Sequence, residues 1–149
     1  SRKEAAGYIS KYLETCSGVK EFMDAIIEAA RNDGYVTTMS GRRRKLPDIH
    51  SSNFNKRSMA ERMAMNTPIQ GSAADIIKIA MNNVYDRLIK EGLRSRILVQ
   101  VHDELLLEVP ESELEQVKGL LKDEMEHAAK LSVPLVVDLA YGHTWAEAK

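Results

Sequence analysis

Residues 97–109 read Ile-Leu-Val-Gln-Val-His-Asp-Glu-Leu-Leu-Leu-Glu-Val, two apolar runs parted by one polar triplet, His102-Asp103-Glu104. Runs of this kind form β-strands, and the short polar break between them is a tight turn, so the segment is expected to be a hairpin. Adjacent carboxylates between apolar strands are an expensive arrangement. Burying an unpaired charge costs several kcal/mol, and two neighbouring acids also repel each other. A metal cation is the simplest partner that makes such a placement favourable. The expectation is therefore a buried carboxylate pair, Asp103 and Glu104, presented to a metal on a hairpin tip.

The rest of the chain alternates helical stretches with short extended ones. Residues 1–15 and 18–32 have helical composition and are expected to break at Ser17-Gly18. Ser1 and Glu4 stand at capping-box spacing. Asn32-Asp33-Gly34 supplies a C-terminal stop. Tyr35–Thr38 is a short β-branched strand. Ser40-Gly41 is its turn, and Arg42-Arg43-Arg44-Lys45-Leu46 is a basic return strand ahead of Pro47. A helix follows from about Asn53 to Asn66, which Pro68 and Gly71 interrupt or kink. Ser72–Glu91 resumes it with Ile76, Ile77, Ala80, Val84 and Leu88 on one apolar face, and Gly92 closes it. Beyond the hairpin, Pro110 and Ser112 start another helix, with Ser112 and Glu115 at capping-box spacing. Its buried stripe is Leu114, Val117, Leu121, Met125 and Ala128. Pro134–Tyr141 is expected to be a final strand. The fold class that results is α+β, long helices on a small antiparallel sheet.

Composition enters as a set of exclusions. With 149 residues and 44% hydrophobic content, the chain is one domain or a compact part of a larger protein. No apolar run approaches the roughly 18 residues needed to span a membrane, so no membrane partner is expected. The start, Ser-Arg-Lys-Glu-Ala-Ala, is not a signal peptide, and the absence of an initiator Met fits a fragment or processed chain. One cysteine, Cys16, rules out an internal disulfide and a Cys-rich zinc site and fits a reducing, cytoplasmic setting. Net charge is only −1, but seven basic residues face two acidic ones from Gly41 to Arg62, and nine acidic face two basic from Asp103 to Glu126. The basic stretch suits a polyanion, though charge runs of either sign also serve as solvated surface.

Arg62, Asn66 and Gln70 recur at i, i+4 and i+8, which lines them along one helix face with some angular drift. All three donate hydrogen bonds. The minor groove of every correct base pair presents an acceptor, purine N3 or pyrimidine O2. A row of such donors can hold any well-formed duplex without reading its sequence. The same three residues also make an ordinary wet face, and Ser72, Asp75 and Lys78 likewise read as a helix-start cap and surface charges.

Met65-Asn66-Thr67-Pro68-Ile69-Gln70-Gly71-Ser72-Ala73-Ala74-Asp75-Ile76-Ile77-Lys78, followed by Val99-Gln100-Val101-His102-Asp103-Glu104, resembles the C-terminal part of the bacterial family A DNA polymerases. Gly34-Tyr35-Val36-Thr37-Thr38 with Gly41-Arg42-Arg43-Arg44, Leu46-Pro47-Asp48-Ile49, and Tyr141-Gly142 with Trp145 extend the resemblance, in order, along the whole chain. What it implies is a part of the palm with adjoining fingers helices: residues 1–33 next to the fingers and residues 34–149 in the palm.

The resemblance also implies roles. Asp103 would be a direct ligand of the catalytic Mg2+ ions and Glu104 a secondary, outer contributor, since successive strand side chains point to opposite faces. His102 would approach the primer terminus, its alternative being a turn residue that only shapes the hairpin. Arg62, Asn66 and Gln70 would contact the minor groove near the nascent base pair. Some of the Arg42–Lys45 side chains would hold fingers and palm together rather than touch DNA. The implied reaction is in-line attack of a primer 3′-hydroxyl on the α-phosphate of a dNTP, assisted by two metals roughly 3.5–4 Å apart.

The family also needs an Asp-Tyr-Ser-like motif and a triphosphate-binding helix, and no segment of this sequence matches either. The implied partners are primer-template DNA, a dNTP and an N-terminal remainder of the polymerase. The chain alone is expected to be inactive. A non-catalytic duplex-binding fragment is the competing reading, and a plain α+β folding fragment a third.

Overall fold

The computed structural model describes residues 1–148, apart from the Arg2 side chain. The architecture is α+β, and the chain divides into two units, Ser1–Ser72 and Ala73–Lys149.

In the first unit, α1 (Arg2–Thr15) starts on the expected capping box. The Glu4 amide donates to Ser1 Oγ at 3.3 Å, and the N-terminal ammonium donates back to the Glu4 carboxylate. The break before α2 (Ser17–Asp33) falls at Cys16, one residue ahead of the expected Ser17-Gly18. Gly18 lies inside α2. The last turn of α1 is drawn in by Thr15 Oγ1, which donates to the Lys11 carbonyl at 2.9 Å. Helix α2 ends where the sequence says it should. Gly34 takes a left-handed φ of 74° and its amide donates to the Ala30 carbonyl.

Strands β1 (Tyr35–Thr37) and β2 (Arg43–Lys45) pair antiparallel, with Val36 opposite Arg44. Asn53 then caps α3 (Phe54–Asn66), its Oδ1 accepting from the amides of Asn55 and Lys56. The buried core of this unit is Ala30, Val36, Leu46, Ile49, Ala60 and Ala64, with Ile26 and Met63 packed against it. Alanines at 30, 60 and 64 let α2 and α3 approach closely.

Pro68 and Gly71 interrupt the α-helix, as expected, without ending the helical path. Thr67–Gly71 form a π turn that carries α3 directly into α4 (Ser72–Lys90). A π turn absorbs the missing proline amide by widening the helix by one residue locally.

In the second unit, α4 buries Ile77, Ala80, Val84 and Leu88, four of the five positions expected, while Ile76 is half-buried. Strands β3 (Arg96–Val101) and β4 (Glu104–Glu108) form the expected antiparallel hairpin, with a register shift between Ile97 and Val99. A 3-10 turn, Glu111–Glu113, precedes α5 (Leu114–Glu126). The core gathers Val84, Leu88, Val117 and Leu120, with Ile97, Leu105 and Leu107 of the hairpin against it. Arg87 fastens α4 to α5 through Asp123 at 2.6 Å and Glu124 at 2.9 Å.

Two local expectations fail here. Ser112 does not cap α5, because the 3-10 turn places Glu113 at the cap position, with no side-chain bond to the helix. Pro134–Tyr141 is not a strand. Its β-branched residues have the propensity, but a strand also needs a ladder. Here the Val137 amide is taken by the Glu126 carboxylate, and Lys118 sits 3.9 Å over the Tyr141 ring. No helix among the described residues is long and apolar enough to cross a membrane.

Candidate functional site

The hairpin tip is a two-residue turn. Val101 pairs with Glu104, leaving His102 and Asp103 as its corner. His102 adopts φ 52°, the left-handed region that a tight antiparallel turn demands and that L-residues adopt at a cost. Gln100 supports the corner, its Nε2 donating to the His102 carbonyl at 2.5 Å. The sequence carries a faint signal for this role, a long amide two residues before the corner.

The expectation that the two acids are buried is wrong. His102, Asp103 and Glu104 are all exposed, and the apolar residues flanking them, Val101 and Leu105, are only half-buried. Leu105 and Leu107 pack against the core that includes Val117 and Leu120 of α5, while the tip residues stay exposed. No ion pair engages either carboxylate among the described residues. Exposure removes the desolvation cost, and what remains is mutual repulsion between neighbouring acids that a cation would relieve.

Asp103 and Glu104 are hard oxygen donors, open to solvent, of the kind magnesium uses when one or two carboxylates share it with water and phosphate. They fit part of such a site. Among the described residues no cluster of three or more His, Cys, Asp or Glu side chains could hold a metal ion. Asp103 and Glu104 also border a cleft of about 820 Å³ in the second unit, lined further by Val101, Val136, Leu139 and Trp145.

In the first unit, Arg62, Asn66 and Gln70 are all exposed on the surface of α3 and the π turn. Arg62 Nε makes one long bond, 3.4 Å, to the Ser58 carbonyl. All three stand open to solvent on successive turns, Arg62 and Asn66 in α3 and Gln70 in the π turn.

Beneath them is a polar cluster that spacing did not reveal. Ser72 is neither a helix cap nor a surface residue. It is 4% exposed, accepts from the Met39 amide at 2.9 Å and donates to the Pro68 carbonyl. Thr67 Oγ1 donates to the Met63 carbonyl at 2.6 Å, and Arg42 Nη2 donates to the Gly71 carbonyl at 3.1 Å. Of the basic strand, Arg42 and Arg44 turn to the π turn, with Arg44 at 3.5 Å from Thr67 Oγ1. Arg43 stacks on the Tyr35 ring at 4.8 Å.

The candidate features are thus a tight hairpin corner with two neighbouring exposed carboxylates in one unit and an exposed row of donors in the other. The sequence matches the family model described as DNA polymerase family A over residues 1–147. It is 58% identical over 149 residues to the DNA polymerase I of Bacillus caldotenax and 55% identical to that of Streptococcus pneumoniae. Each alignment covers all of this chain but 17% of the relative. Among solved structures, the polymerase domain of Pol1 from M. smegmatis, in complex with DNA primer-template and dNTP, superposes with a TM-score of 0.96 at 49% identity. That match covers 99% of this chain and 26% of the other. The chain belongs to the family A DNA polymerases.

Proposed function

We propose that this chain is the C-terminal part of a DNA-directed DNA polymerase that transfers a nucleotide from dNTP to a primer 3′-hydroxyl on a DNA template. Residues 34–149 contribute to the palm, and residues 1–33 adjoin the fingers. The observation that carries the reading is the His102-Asp103 corner, which sets two exposed, unpaired carboxylates side by side at the end of an ordered hairpin.

In this reading Asp103 holds magnesium directly and Glu104 supports it from the neighbouring position. Bound there, the ion supplies charge neutralisation for in-line phosphoryl transfer. His102, fixed by Gln100, faces the primer terminus from the corner. Arg62, Asn66 and Gln70 donate to minor-groove acceptors, which every matched pair offers in the same place. The likeness to a polymerase domain solved with primer-template and dNTP supports both assignments.

The chain spans 17% of the length of the Bacillus caldotenax relative, so the complete activity belongs to an assembly with an N-terminal remainder. The exposed apolar face of α1, Tyr8, Ile9 and Tyr12, supports that partner, because apolar residues clustered on a helix face usually have a covering surface. The chain alone does not extend primers.

A second reading, a non-catalytic duplex-binding fragment, keeps the exposed Arg62–Asn66–Gln70 face without the chemistry. Primer extension separates the two. The chain would be tested alone, and as a chimaera in which it replaces the matching segment of the Bacillus caldotenax enzyme, with and without Asp103→Ala. Extension by the chimaera, abolished by Asp103→Ala and by EDTA, is expected. A folded chimaera that binds primed duplex but extends nothing would establish the binding fragment instead.

A further inference from the structure

We propose that the β1–β2 hairpin is the positioning element of the Arg62–Asn66–Gln70 face, and that it acts by holding the π turn through Ser72, Arg42 and the close approach of Gly71 to Thr38. The proposal rests on the minor-groove reading of that face and assigns the parts that keep it in register.

The π turn matters because of angle. Four residues of α-helix turn about 400°, so Asn66 stands roughly 40° past Arg62. Four residues across a π turn, at about 4.4 residues per revolution, turn only about 330°. The step from Asn66 to Gln70 crosses Thr67–Gly71, so its shortfall cancels most of the earlier drift. A regular helix would leave Gln70 roughly 80° out of line with Arg62. The π turn is what makes three donors into one row.

Such a turn does not hold itself. Pro68 gives no amide, and the local ladder is opened. Side chains close it: Thr67 on the Met63 carbonyl, Ser72 on the Pro68 carbonyl and Arg42 on the Gly71 carbonyl. Two of the anchors come from the hairpin, the Arg42 guanidinium and the Met39 amide that binds Ser72 Oγ. Thr38, Thr67 and Ser72 are three of the four buried polar residues among those described, and all three lie at this contact. Gly71 is required by distance. A Cβ placed there would lie 2.7 Å from Thr38 Cγ2.

The test uses the chimaera and reads the ratio of kcat/KM for extending a matched over a mismatched primer end. Gln70→Ala tests the underlying reading, and a fall in the ratio is expected. Ser72→Ala is expected to lower the ratio about threefold, the effect of a lost buried hydrogen bond, with KM for dNTP at the matched end unchanged. Gly71→Ala is expected to lower it as well. Thr38→Ser added to Gly71→Ala removes the clashing methyl, keeps the hydroxyl, and restores the ratio.

Should Gln70→Ala lower the ratio while Ser72→Ala and Gly71→Ala match wild type, the proposal is overturned and the minor-groove reading survives. Failure of Thr38→Ser to restore Gly71→Ala also overturns it. If Ser72→Ala does not fold, the Gly71–Thr38 pair decides alone. An unchanged ratio in Gln70→Ala removes the minor-groove reading and this inference together.

Discussion

The Glu113 carboxylate closes the open end of the β3–β4 hairpin on Ser95, accepting from its hydroxyl at 2.6 Å and from its amide at 3.0 Å. The Arg94 amide donates to both oxygens at 3.1 Å. The Ser95 hydroxyl foremost, then the Arg94 amide, holds this carboxyl below the usual carboxylate range, against a burial effect that pushes it up. A carboxyl with a depressed folded-state pKa contributes stability that is complete above its unfolded value and is lost as pH falls through the folded one. Glu113→Gln should therefore lower the urea midpoint at pH 7. The gap between variant and wild type should narrow below about pH 4.3, where the unfolded carboxyl takes up a proton that the folded one still resists. Urea melts of the two proteins at pH 7 and pH 3 check this. An equal gap at both pH values would mean that the carboxylate charge is not what holds the clasp.

Asp103→Ala should separate activity from stability in the chimaera. The side chain is exposed and has no ion-pair partner among the described residues. Its removal should therefore change folding free energy by no more than about 0.5 kcal/mol. Extension should fall by at least about a thousandfold if the carboxylate neutralises charge in the transition state. Thermal melts beside extension rates decide it. A large loss of melting temperature would recast Asp103 as a structural residue.

What the sequence makes legible here is local. The Ser1–Glu4 box, the Gly34 stop and the hairpin corner each depend on a few adjacent residues, and each forms as expected. The larger failures involve surroundings distant in sequence. Ser72 looks like a cap until Met39, 33 residues away, reaches its oxygen. Pro68 marks the interruption correctly but not its form, because a π turn is a response to surrounding anchors rather than a propensity of Thr-Pro-Ile-Gln-Gly. Pro134–Tyr141 has strand composition, yet strand formation depends on a neighbour's edge. Asp103 and Glu104 have apolar neighbours in sequence but not in space, because the tip extends beyond the packed part of the hairpin.

Leu88 and Leu98 should respond very unequally to truncation. Leu88 is 2% exposed in the core with Val84, Val117 and Leu120, and Leu88→Ala should cost about 2–5 kcal/mol. Leu98 lies at the register shift between Ile97 and Val99, which turns it outward to 55% exposure. Leu98→Ala should cost less than about 0.5 kcal/mol in the chain alone. If Leu98→Ala instead costs more in the chimaera than in the isolated chain, a segment of the remaining polymerase covers that position. Paired denaturant melts in both contexts make the comparison.

The salt dependence of duplex binding should be shallower than the charge count suggests. Seven basic residues lie between Gly41 and Arg62, and if all met phosphates log Kd would change with log salt at a slope near 6. Four of them are engaged within the unit. Arg42 holds the Gly71 carbonyl, Arg43 stacks on Tyr35, Arg44 faces Thr67, and Arg57 donates to the Ser51 carbonyl at 2.9 Å. Arg62 is taken by the minor groove, so Lys45 and Lys56 remain exposed for phosphate contact, which sets the expected slope near 2. Fluorescence anisotropy of the chain with a labelled primed duplex, from about 50 to 200 mM salt, measures it with and without EDTA. A slope near 6 would mean that the hairpin arginines leave the π turn on binding, against their positioning role. Binding insensitive to salt, or absent, would leave only the plain folding fragment.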